Sequence, residues 1–516
     1  MNGAESLVHT LLDGGVDVCF ANPGTSEMHF VAALDHIPGM RCVLGLFEGV
    51  VSGAADGYGR MTGKPAATLL HLGPGLANAS ANLHNAKKAR SPIVNVVGDH
   101  ATYHVRYDAP LTSDVRGVAR PFSHWVGGAA EARGIAEAGA QAIAAARAHP
   151  GQIATLILPA DTAWGEADGP AAVPAIAEPE PIDPDALKAA VAALEDGGSA
   201  ALLYIGGKTL RKEGLALAAA IAAKTGATVM APTSNGRAER GAGIAAVERV
   251  PYVVELALDR LKGFRRAVLV EAKEPVGFFA YPGLPSRILP GETRPDLLAG
   301  PEQDGTAALR VLADAVGARV QDAPMPVLAY PDAPDGGALT AQALAQALAA
   351  HLPEGAIVVD ESVSNGVHFW PMTATCAPHD WLQVTGGSIG IGLPLAAGCA
   401  VACPERRVIV LQADGSAMYT PQALWTHARE GLNVTTIILD NSAYAILAGE
   451  MTKVGANPGA RARSMLTLDE PRLDWLSLAQ GMGVPAARAT DAASLSKALA
   501  RSLTMPGPSL IDAVLA

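Results

Sequence analysis

The sequence lacks any uninterrupted hydrophobic run of about 18 residues, the length that a membrane-spanning helix needs. Its 516 residues are 49% hydrophobic and only 17% charged, but the hydrophobic residues are mostly Ala and Val dispersed among Gly and Pro. The opening residues, MNGAESLVHTLLDGG, also lack the basic segment and hydrophobic core of a secretory signal. We therefore expect a globular chain with no membrane span and no signal peptide.

Basic blocks are absent as well, and the formal net charge is −12. This charge argues against nucleic acid as a main partner. Cysteine is scarce, and the five cysteines form an odd set within hydrophobic runs, which predicts reduced, buried thiols of a cytoplasmic protein. Two of them are spaced by four residues, but no second pair exists to complete a zinc site. The five are Cys19, Cys42, Cys376, Cys399 and Cys403.

The chain is too long for one hydrophobic core, so two to four domains are expected. Two segments rich in Pro and acidic residues, 165–186 and 321–337, are typical of interdomain linkers. They predict three domains, at residues 1–165, 187–321 and 338–516.

Short hydrophobic runs alternate with Ala-rich helical stretches in all three parts, which predicts α/β domains with parallel sheets. Ligands of open parallel sheets bind outside the carboxyl ends of the strands. In the N-terminal part, four predicted strands are followed or ended by polar residues: Asn22, Glu48, His71 and His100. Several such residues at one sheet edge indicate a binding site.

Residues 407–444, RVIVLQADGSAMYTPQALWTHAREGLNVTTIILDNSAY, contain two hydrophobic runs that each end in an acidic residue. They predict strands over 407–412 and 434–439, joined by a helix. A crossover of this kind places its two strands side by side or nearly so. We therefore expect Asp414 and Asn441, which follow the strands, to meet at one edge of a sheet.

These strand ends combine hard oxygen ligands with backbone donors. A carboxylate from Asp414, an amide oxygen from Asn441 and a backbone carbonyl suit Mg²⁺ that takes its remaining ligands from water and a phosphate. The N–H groups of Gly415 and Ser416 near a helix start favour an anion. Each acidic dipeptide alone is typical of an ordinary turn, so it is the pair at this spacing that indicates the site.

The segment ADGSAMYTPQALWTHAREGLNVTTIILDN resembles the thiamine diphosphate (ThDP) binding motif, in which GDG is followed, after a helix and a strand, by NN. Ala413 stands for the first Gly and Asp440 for the first Asn, and neither position normally supplies a metal ligand. The resemblance implies that Mg²⁺ is bound by the side chains of Asp414 and Asn441 and by the carbonyl of Ala443. Further cofactor contacts are expected from Gly415, Ser416 and Tyr444.

The segment FEGVVSGAADGYGRMTGKP, residues 47–65, resembles the helix of the family's pyrimidine-binding domain. The resemblance places Glu48 at the aminopyrimidine ring, where a carboxylate promotes the tautomer that activates the cofactor. A typical family member has His before this Glu, whereas this chain has Phe47.

Two further segments resemble the diphosphate side of the family's site. TGGSIGIGLPLAAG, residues 385–398, resembles the segment that cradles the diphosphate, with Gly387 in the cradle and Ile389 at the position that wedges the cofactor into its bent shape. DESVSNG, residues 360–366, matches the loop that contacts the terminal phosphate, through Ser364 and also Ser362 and Asn365.

Together these resemblances imply the three-domain fold of ThDP-dependent decarboxylases and acetolactate synthases, with pyrimidine-binding, central and diphosphate-binding domains. In that family the cofactor lies between the first domain of one subunit and the third domain of another. A homodimer is then the smallest active unit, and a homotetramer is usual.

The segments ANPGTSE, residues 21–27, and LLHLGPG, residues 69–75, resemble benzoylformate decarboxylase. Thr25 matches its substrate-binding Ser, and His71 matches an active-site His that exchanges protons. Pro23 and Gly24 are expected beside the pyrimidine, together with Asn22. The second active-site His of that enzyme corresponds to Phe279 here, so His100 is a candidate substitute.

The expected function is ThDP- and Mg²⁺-dependent cleavage or condensation of a small 2-oxo acid, by decarboxylation or by carboligation to an acceptor aldehyde or a second 2-oxo acid. Acetolactate synthases carry FAD in the central domain. The corresponding segments here, YIGGKTLRKEG and APTSNGRAERGAG, lack a dinucleotide fingerprint, so we expect no bound FAD.

Two other classes of protein are alternatives. A nicotinamide-dependent oxidoreductase would share the α/β pattern, but no strand–GxGxxG–helix unit with an acidic residue about 20 residues on is present. A non-catalytic or regulatory ThDP-binding homologue would be expected to lack Glu48, Asp414 or Asn441, and all three are present.

Overall fold

Three β-sheets organise the chain, in a computed structural model that describes residues 1–516. The first sheet has six strands, all paired in parallel, in the order β2-β1-β3-β4-β6-β5. Its strands are β1 (Val18–Ala21), β2 (Arg41–Leu44), β3 (Ala66–His71), β4 (Ile93–Asp99), β5 (Trp125–Gly128) and β6 (Ile153–Pro159). The helices around it are α1 (Gly3–Asp13), α2 (Met28–His36), α3 (Glu48–Thr62), α4 (Leu72–Ala89), α5 (Val115–Ala119), α6 (Ile135–Arg147) and α7 (Ala160–Trp164).

The second sheet, which we call the middle sheet, has five parallel strands in the order β10-β8-β7-β11-β12. The strands of this part of the chain are β7 (Ala201–Ile205), β8 (Thr228–Ala231), β9 (Ala238–Arg240), β10 (Glu248–Arg249), β11 (Arg266–Val270) and β12 (Pro295–Ala299). Its helices are α8 (Pro184–Gly197), α9 (Lys212–Thr225), α10 (Val254–Leu261) and α11 (Gly305–Val316).

The third sheet has seven strands in the order β17-β18-β16-β15-β13-β14-β9. Its own strands are β13 (Ile357–Glu361), β14 (His379–Gln383), β15 (Val408–Ala413), β16 (Val434–Asp440), β17 (Ala486–Ala489) and β18 (Ser509–Val514). Its helices are α12 (Ala341–His351), α13 (Phe369–Met372), α14 (Gly392–Ala402), α15 (Asp414–Ala417), α16 (Ala423–Arg429), α17 (Ala445–Lys453), α18 (Ala460–Ser464), α19 (Trp475–Gly481) and α20 (Ala492–Thr504).

The α/β class and the three mostly parallel sheets confirm the fold expected from the sequence. The central strands are buried along almost their whole length, as in Val434–Asp440, because helices cover both faces of such sheets. One strand departs from the parallel pattern: β9 pairs antiparallel with β14 and so joins the third sheet. The predicted domain boundaries stay predictions, and β9 lies inside the predicted central domain.

The first and third sheets are held together by two helices that approach each other closely, α3 and α14. Glycines make this contact possible, since a Cβ on Gly57 would lie 2.1 Å from the Leu395 carbonyl oxygen and one on Gly398 would lie 1.8 Å from that of Ala54. The largest hydrophobic cluster of the chain, 44 buried residues, runs through this contact and includes residues of both sheets. The first and third sheets of one chain are therefore fixed to a common core.

None of the helices combines the length and hydrophobicity that crossing a membrane requires. All five cysteines are free, as expected. The prediction that all of them are buried was wrong for Cys42, which is exposed, and Cys403 is only partly buried. Cys42 is exposed because it lies on β2, the edge strand of the first sheet.

Candidate active site

The carboxyl edge of the first sheet brings polar residues together where neighbouring strands end. β1, β3 and β4 are adjacent in this sheet, and His71 is the last residue of β3. The next residue, Leu72, has a φ of 49°, a left-handed conformation that is costly for a residue with a branched bulky side chain. Backbone strain of this kind clusters at functional sites. The strained turn after His71 is therefore typical of a functional site.

His71 is paired with a carboxylate that the sequence analysis missed. Its Nδ1 lies 2.9 Å from Oε2 of Glu27, whose side chain is fully buried. The same carboxylate accepts the N–H of Gly24 at 2.7 Å and the hydroxyl of Ser26. Because Nδ1 faces this acceptor, Nε2 of His71 is left for proton exchange with a substrate. The one indication of Glu27 in the sequence was that it is the last residue of the segment ANPGTSE, residues 21–27.

Two glycines leave the space that this pair occupies. A Cβ on Gly24 would lie 2.1 Å from Nδ1 of His71, and one on Gly98 would lie 1.7 Å from Oε1 of Glu27. Any larger residue at either position would displace the imidazole or the carboxylate. Gly24, which is expected beside the pyrimidine, therefore lies against the ring of His71.

Glu48 lies in the same crevice as His71. It is the first residue of α3 and is 8% exposed, and its Oε2 accepts a hydrogen bond from Nδ2 of Asn78 at 3.0 Å. A Cβ built on Gly75 would lie 2.9 Å from Oε1 of Glu48 and 3.4 Å from Cβ of His71, so the two side chains flank this glycine.

The other predicted residues of this edge are placed differently. Nδ2 of Asn22 donates to the Gly45 carbonyl at 2.8 Å and so ties the end of β1 to the chain after β2. Thr25 is exposed, in a short 3-10 turn over residues 25–27, and the neighbouring Pro23 is also exposed. His100 packs against His104, with ring centroids 5.5 Å apart, and no hydrogen bond joins it to His71.

The carboxyl edge of the third sheet carries the predicted metal ligands. β15 and β16 are parallel neighbours in register, with Ala413 opposite Leu439, which confirms the predicted side-by-side strands. Asp414 and Asn441 therefore follow adjacent strands. Oδ1 of Asn441 accepts the N–H of Ala443 at 3.1 Å, across Ser442, whose φ is 53°.

The buried carboxylate of Asp414 is suited to bind a cation. Its Oδ1 accepts the N–H of Gly415 at 2.7 Å, while its Oδ2 is buried without a partner. Burial raises the pKa of Asp414 to about 6, since no positive group compensates the desolvated charge. A buried carboxylate oxygen without a partner, at the sheet edge where Asn441 follows the neighbouring strand, fits a hard divalent cation that also binds phosphate and water. No group of three His, Cys, Asp or Glu forms an alternative metal cage.

Two further residues stabilise the turn at Asp414. The hydroxyl of Ser416 donates to the Ala413 carbonyl at 3.0 Å and accepts Nε2 of Gln412 at 2.6 Å, so it is engaged within the turn. The ring of Tyr444 covers Gly415, where a Cβ would lie 2.4 Å from the ring edge. Tyr444 thus closes one side of the turn, and the N–H of Gly415 is engaged by Asp414.

Asp440, which stands where the ThDP motif has its first Asn, is paired with Arg472, 32 positions later. Asp440 is 3% exposed, and its Oδ2 lies 2.7 Å from Nη2 of Arg472. Its Oδ1 accepts both the N–H and the hydroxyl of Ser442, at 3.0 and 2.9 Å. An acidic residue at this position is therefore paired and holds the strained turn before Ala443, which no sequence pattern indicated.

The turn before α14 is organised by a second missed carboxylate, Glu361. Its two oxygens accept the N–H groups of Gly390 and Gly392, both at 2.5 Å. Burial raises the pKa of Glu361, and these N–H groups oppose the rise. Glu361 thereby fixes the segment that contains Ile389, which is partly buried.

The remaining predicted residues of the diphosphate side surround this turn. Gly387 has a φ of 74° and lies under the ring of Phe278. The hydroxyl of Ser362 donates to Asp360 at 2.5 Å and is therefore engaged within its loop. Ser364 is exposed, and Nδ2 of Asn365 is buried without a partner.

Comparison with known proteins agrees with this arrangement. Residues 1–119 match the N-terminal TPP-binding domain of thiamine pyrophosphate enzymes, and residues 364–513 match their C-terminal TPP-binding domain. Thiamine pyrophosphate is the same compound as ThDP. The two matched regions contain Glu48 and His71 of the first edge and Asp414 and Asn441 of the other.

Full-length relatives and structures agree as well. Over 518 residues the chain is 51% identical to IlvX of Mycobacterium tuberculosis, whose name assigns it provisionally as an acetolactate synthase large subunit, with 100% of this chain and 99% of the relative covered. It is 30% identical to benzoylformate decarboxylase of Pseudomonas aeruginosa, with 96% of each chain covered. The structure of ThDP-dependent 4-hydroxybenzoylformate decarboxylase of Rhodococcus jostii RHA1 superposes with a TM-score of 0.85 at 27% identity, covering 100% of this chain and 99% of that one.

The chain belongs to the thiamine pyrophosphate enzyme family. It is a ThDP-dependent enzyme of the kind that includes acetolactate synthases and benzoylformate decarboxylases. The nicotinamide-dependent oxidoreductase and the non-catalytic homologue are not favoured by these relatives.

Proposed function

We propose that this enzyme removes the carboxylate of a small 2-oxo acid as carbon dioxide, with ThDP held between Glu48 and an Asp414-bound Mg²⁺. The observation that carries the proposal is the crevice in which the buried Glu48 and the Glu27–His71 pair flank Gly75. Bound ThDP supplies an electron sink for the bond between the carboxylate and the carbonyl carbon. Everything else is done by side chains that bind, orient and exchange protons.

Glu48 holds the proton that activates the cofactor. Asn78 donates to Oε2 of Glu48 at 3.0 Å, so Oε1 is the oxygen left to contact an aminopyrimidine nitrogen. Because the side chain is 8% exposed, water competes little for that contact, and a charge-assisted hydrogen bond is strong there. A carboxyl group at hydrogen-bond distance can exchange a proton with a ring nitrogen.

His71 exchanges the proton at the reacting carbon. Glu27 orients the imidazole through Nδ1, as carboxylates do for general acid–base histidines. Glu27 is thus a positioning residue, and His71 is the catalytic one. Thr25, exposed two residues before Glu27, is the expected contact of the substrate carboxylate.

The same proposal covers the metal ligands, the diphosphate segment, the oligomeric state and the compartment. Asp414, Asn441 and the Ala443 carbonyl are the ligands for Mg²⁺, and the segment around Gly387 and Ile389 receives the diphosphate. The active unit is a homodimer or homotetramer, with the site shared between subunits. The compartment is the cytoplasm, which free cysteines suit.

Carboligation is the second candidate, in which the two-carbon or larger acyl unit is added to an acceptor aldehyde or to a second 2-oxo acid. It is supported by the relative named as an acetolactate synthase large subunit. Proton delivery by His71 favours release of an aldehyde, whereas exclusion of that proton favours addition to a second carbonyl.

The proposal is tested by incubating the enzyme, saturated with ThDP and Mg²⁺, with a panel of aliphatic and aryl 2-oxo acids, with and without an acceptor aldehyde. Carbon dioxide release and carbon products are measured together. Equimolar aldehyde and carbon dioxide support decarboxylation, and a hydroxyketone or an acetohydroxy acid supports carboligation. Failure of every 2-oxo acid to release carbon dioxide would refute the proposal.

Replacing His71 with alanine is expected to lower kcat by about 10²-fold, the lower end of the contribution of a general acid–base residue. A matched control is His36→Ala, since His36 has a side chain that is 71% exposed and lies outside the crevice. Glu27→Gln should lower kcat by less than His71→Ala does, because the amide can still accept from Nδ1 but no longer carries the charge of the carboxylate. A wild-type kcat in Glu27→Gln would contradict the positioning role.

A further inference from the structure

The middle sheet has its own crevice at the carboxyl ends of its strands. The chain runs from β7 to β8 on one side and then returns to β11, which pairs with β7 on the other side. The point at which the strand order reverses therefore lies between β7 and β11. Ligands of open α/β sheets bind at such a switch point, outside the carboxyl ends of the strands.

A carboxylate of the chain itself occupies this crevice. Glu271 follows β11 directly and is 7% exposed. Its Oε2 accepts the N–H of Lys208, in the turn after β7, at 2.6 Å. Its Oε1 accepts the N–H of Gly305, the first residue of α11, at 2.8 Å. One side chain thus joins the two strand ends and the start of a helix.

The surrounding backbone is fitted closely to this carboxylate. A Cβ on Gly207 would lie 2.2 Å from Oε2 of Glu271, and one on Gly305 would lie 2.7 Å from Oε1. Burial raises the pKa of Glu271, and the N–H groups of Lys208 and Gly305 oppose the rise. Backbone N–H groups that converge in this way are the donors that bind phosphate groups of ligands in comparable folds.

The backbone of Glu271 is held in the left-handed region, with a φ of 50°. Only six residues other than glycine in the chain have positive φ. Three of the others, Leu72, Val363 and Ser442, lie within two residues of the ends of β3, β13 and β16 in the first and third sheets. Glu271 occupies the corresponding place in the middle sheet, and strain of this kind persists where the surrounding structure requires it.

We propose that Glu271 is an internal anion that fills the phosphate position of the middle sheet, so that nucleoside diphosphates and dinucleotides are excluded from that crevice. The proposal is independent of which 2-oxo acid the enzyme uses. The carboxylate of Glu271 then takes the place that a ligand phosphate would take. Removing this side chain should uncover a site for a free anion.

The experiment uses the enzyme saturated with ThDP and Mg²⁺, so that the catalytic diphosphate site is filled. Thermal unfolding of the wild type, Glu271→Ala, Glu271→Gln and the control Glu302→Ala is followed in chloride and in sulfate at equal ionic strength. The side chain of Glu302 is 76% exposed, so its variant reports the general effect of sulfate on stability. ADP and FAD binding to each protein is measured by equilibrium dialysis.

Both Glu271 variants are expected to unfold about 4 °C below the wild type, because the N–H groups of Lys208 and Gly305 lose an acceptor. Sulfate should recover stability in Glu271→Ala beyond its effect on Glu302→Ala. It should not do so in Glu271→Gln, whose amide still fills the crevice. ADP should bind to Glu271→Ala and not to the wild type.

Uptake of ADP or FAD by the wild type, outside the filled catalytic site, would overturn the proposal. So would a Glu271→Gln variant that is as stable as the wild type, which remains measurable if Glu271→Ala does not fold. A Glu271→Ala variant that folds and gains no more from sulfate than Glu302→Ala would also overturn it.

Discussion

Glu48→Gln is expected to lower kcat by about 10³-fold, within the range of general acid–base catalysis, while leaving the fold and ThDP binding intact. The glutamine keeps the size of the side chain and an acceptor for Asn78, whose Nδ2 lies 3.0 Å from Oε2 of Glu48. It cannot take or return a proton at the aminopyrimidine ring. The loss should therefore lie in kcat rather than in cofactor affinity.

Three measurements separate this expectation from simple damage to the protein. Steady-state kinetics at saturating ThDP gives kcat, calorimetric titration gives the ThDP affinity, and circular dichroism checks the fold. Glu137→Gln is the matched control, because Glu137 is exposed on α6 and its side chain accepts a hydrogen bond from Gln141. A Glu48→Gln enzyme with wild-type kcat would refute the catalytic role of Glu48.

Asp414→Asn is expected to weaken Mg²⁺-dependent ThDP binding by about 100-fold or more, since the only carboxylate ligand of the metal is lost. The buried Oδ2, which has no partner in the protein, is the atom that would bind the ion. Replacing it with an amide nitrogen puts a donor where the cation requires an acceptor. The fold should persist, because an uncompensated buried charge is removed at the same time.

The neighbouring carboxylate provides the control for this prediction. Asp440→Asn introduces the amide that the ThDP motif usually has, and it removes a charge that is paired with Arg472 rather than with the metal. Calorimetric titration of ThDP in the presence of Mg²⁺ should show near wild-type affinity for Asp440→Asn. Equal loss of affinity in both variants, or none in Asp414→Asn, would contradict the assignment of Asp414.

Local patterns in the sequence were enough to predict the fold class and the positions of the strand ends. The two hydrophobic runs at 407–412 and 434–439 predicted strands that are shifted by one residue at most from β15 and β16. The crossover rule then placed Asp414 beside Asn441, because adjacent parallel strands bring their carboxyl ends to one edge. The motif resemblance added the identity of the cofactor, which spacing alone could not supply.

Contacts between distant parts of the chain could not be predicted in this way. Glu27 and His71 are 44 residues apart, and Glu361 accepts the N–H groups of Gly390 and Gly392, which follow α13 and β14 in the chain. Each of these carboxylates looks like an ordinary acidic residue in its own segment. Only the packing of the elements shows that their charges are buried and directed at particular N–H groups.

Some side chains near the expected cofactor are engaged within the protein. Ser362 was expected to contact the terminal phosphate and Ser416 to offer its backbone N–H, and their hydroxyls donate to Asp360 and to the Ala413 carbonyl. Each remains a cofactor contact only as a proposal that rests on its backbone. Likewise, His100 stays a candidate without a hydrogen bond to the His71 pair.

The central claim is that Glu48 of one subunit and Asp414 of another form one ThDP site. It is tested most directly with a heterodimer of Glu48→Gln and Asp414→Asn subunits, purified through two different affinity tags. Each variant alone is expected to be nearly inactive. The heterodimer should have one intact site of two and about half of the wild-type activity. A heterodimer as inactive as its parents would contradict the shared site.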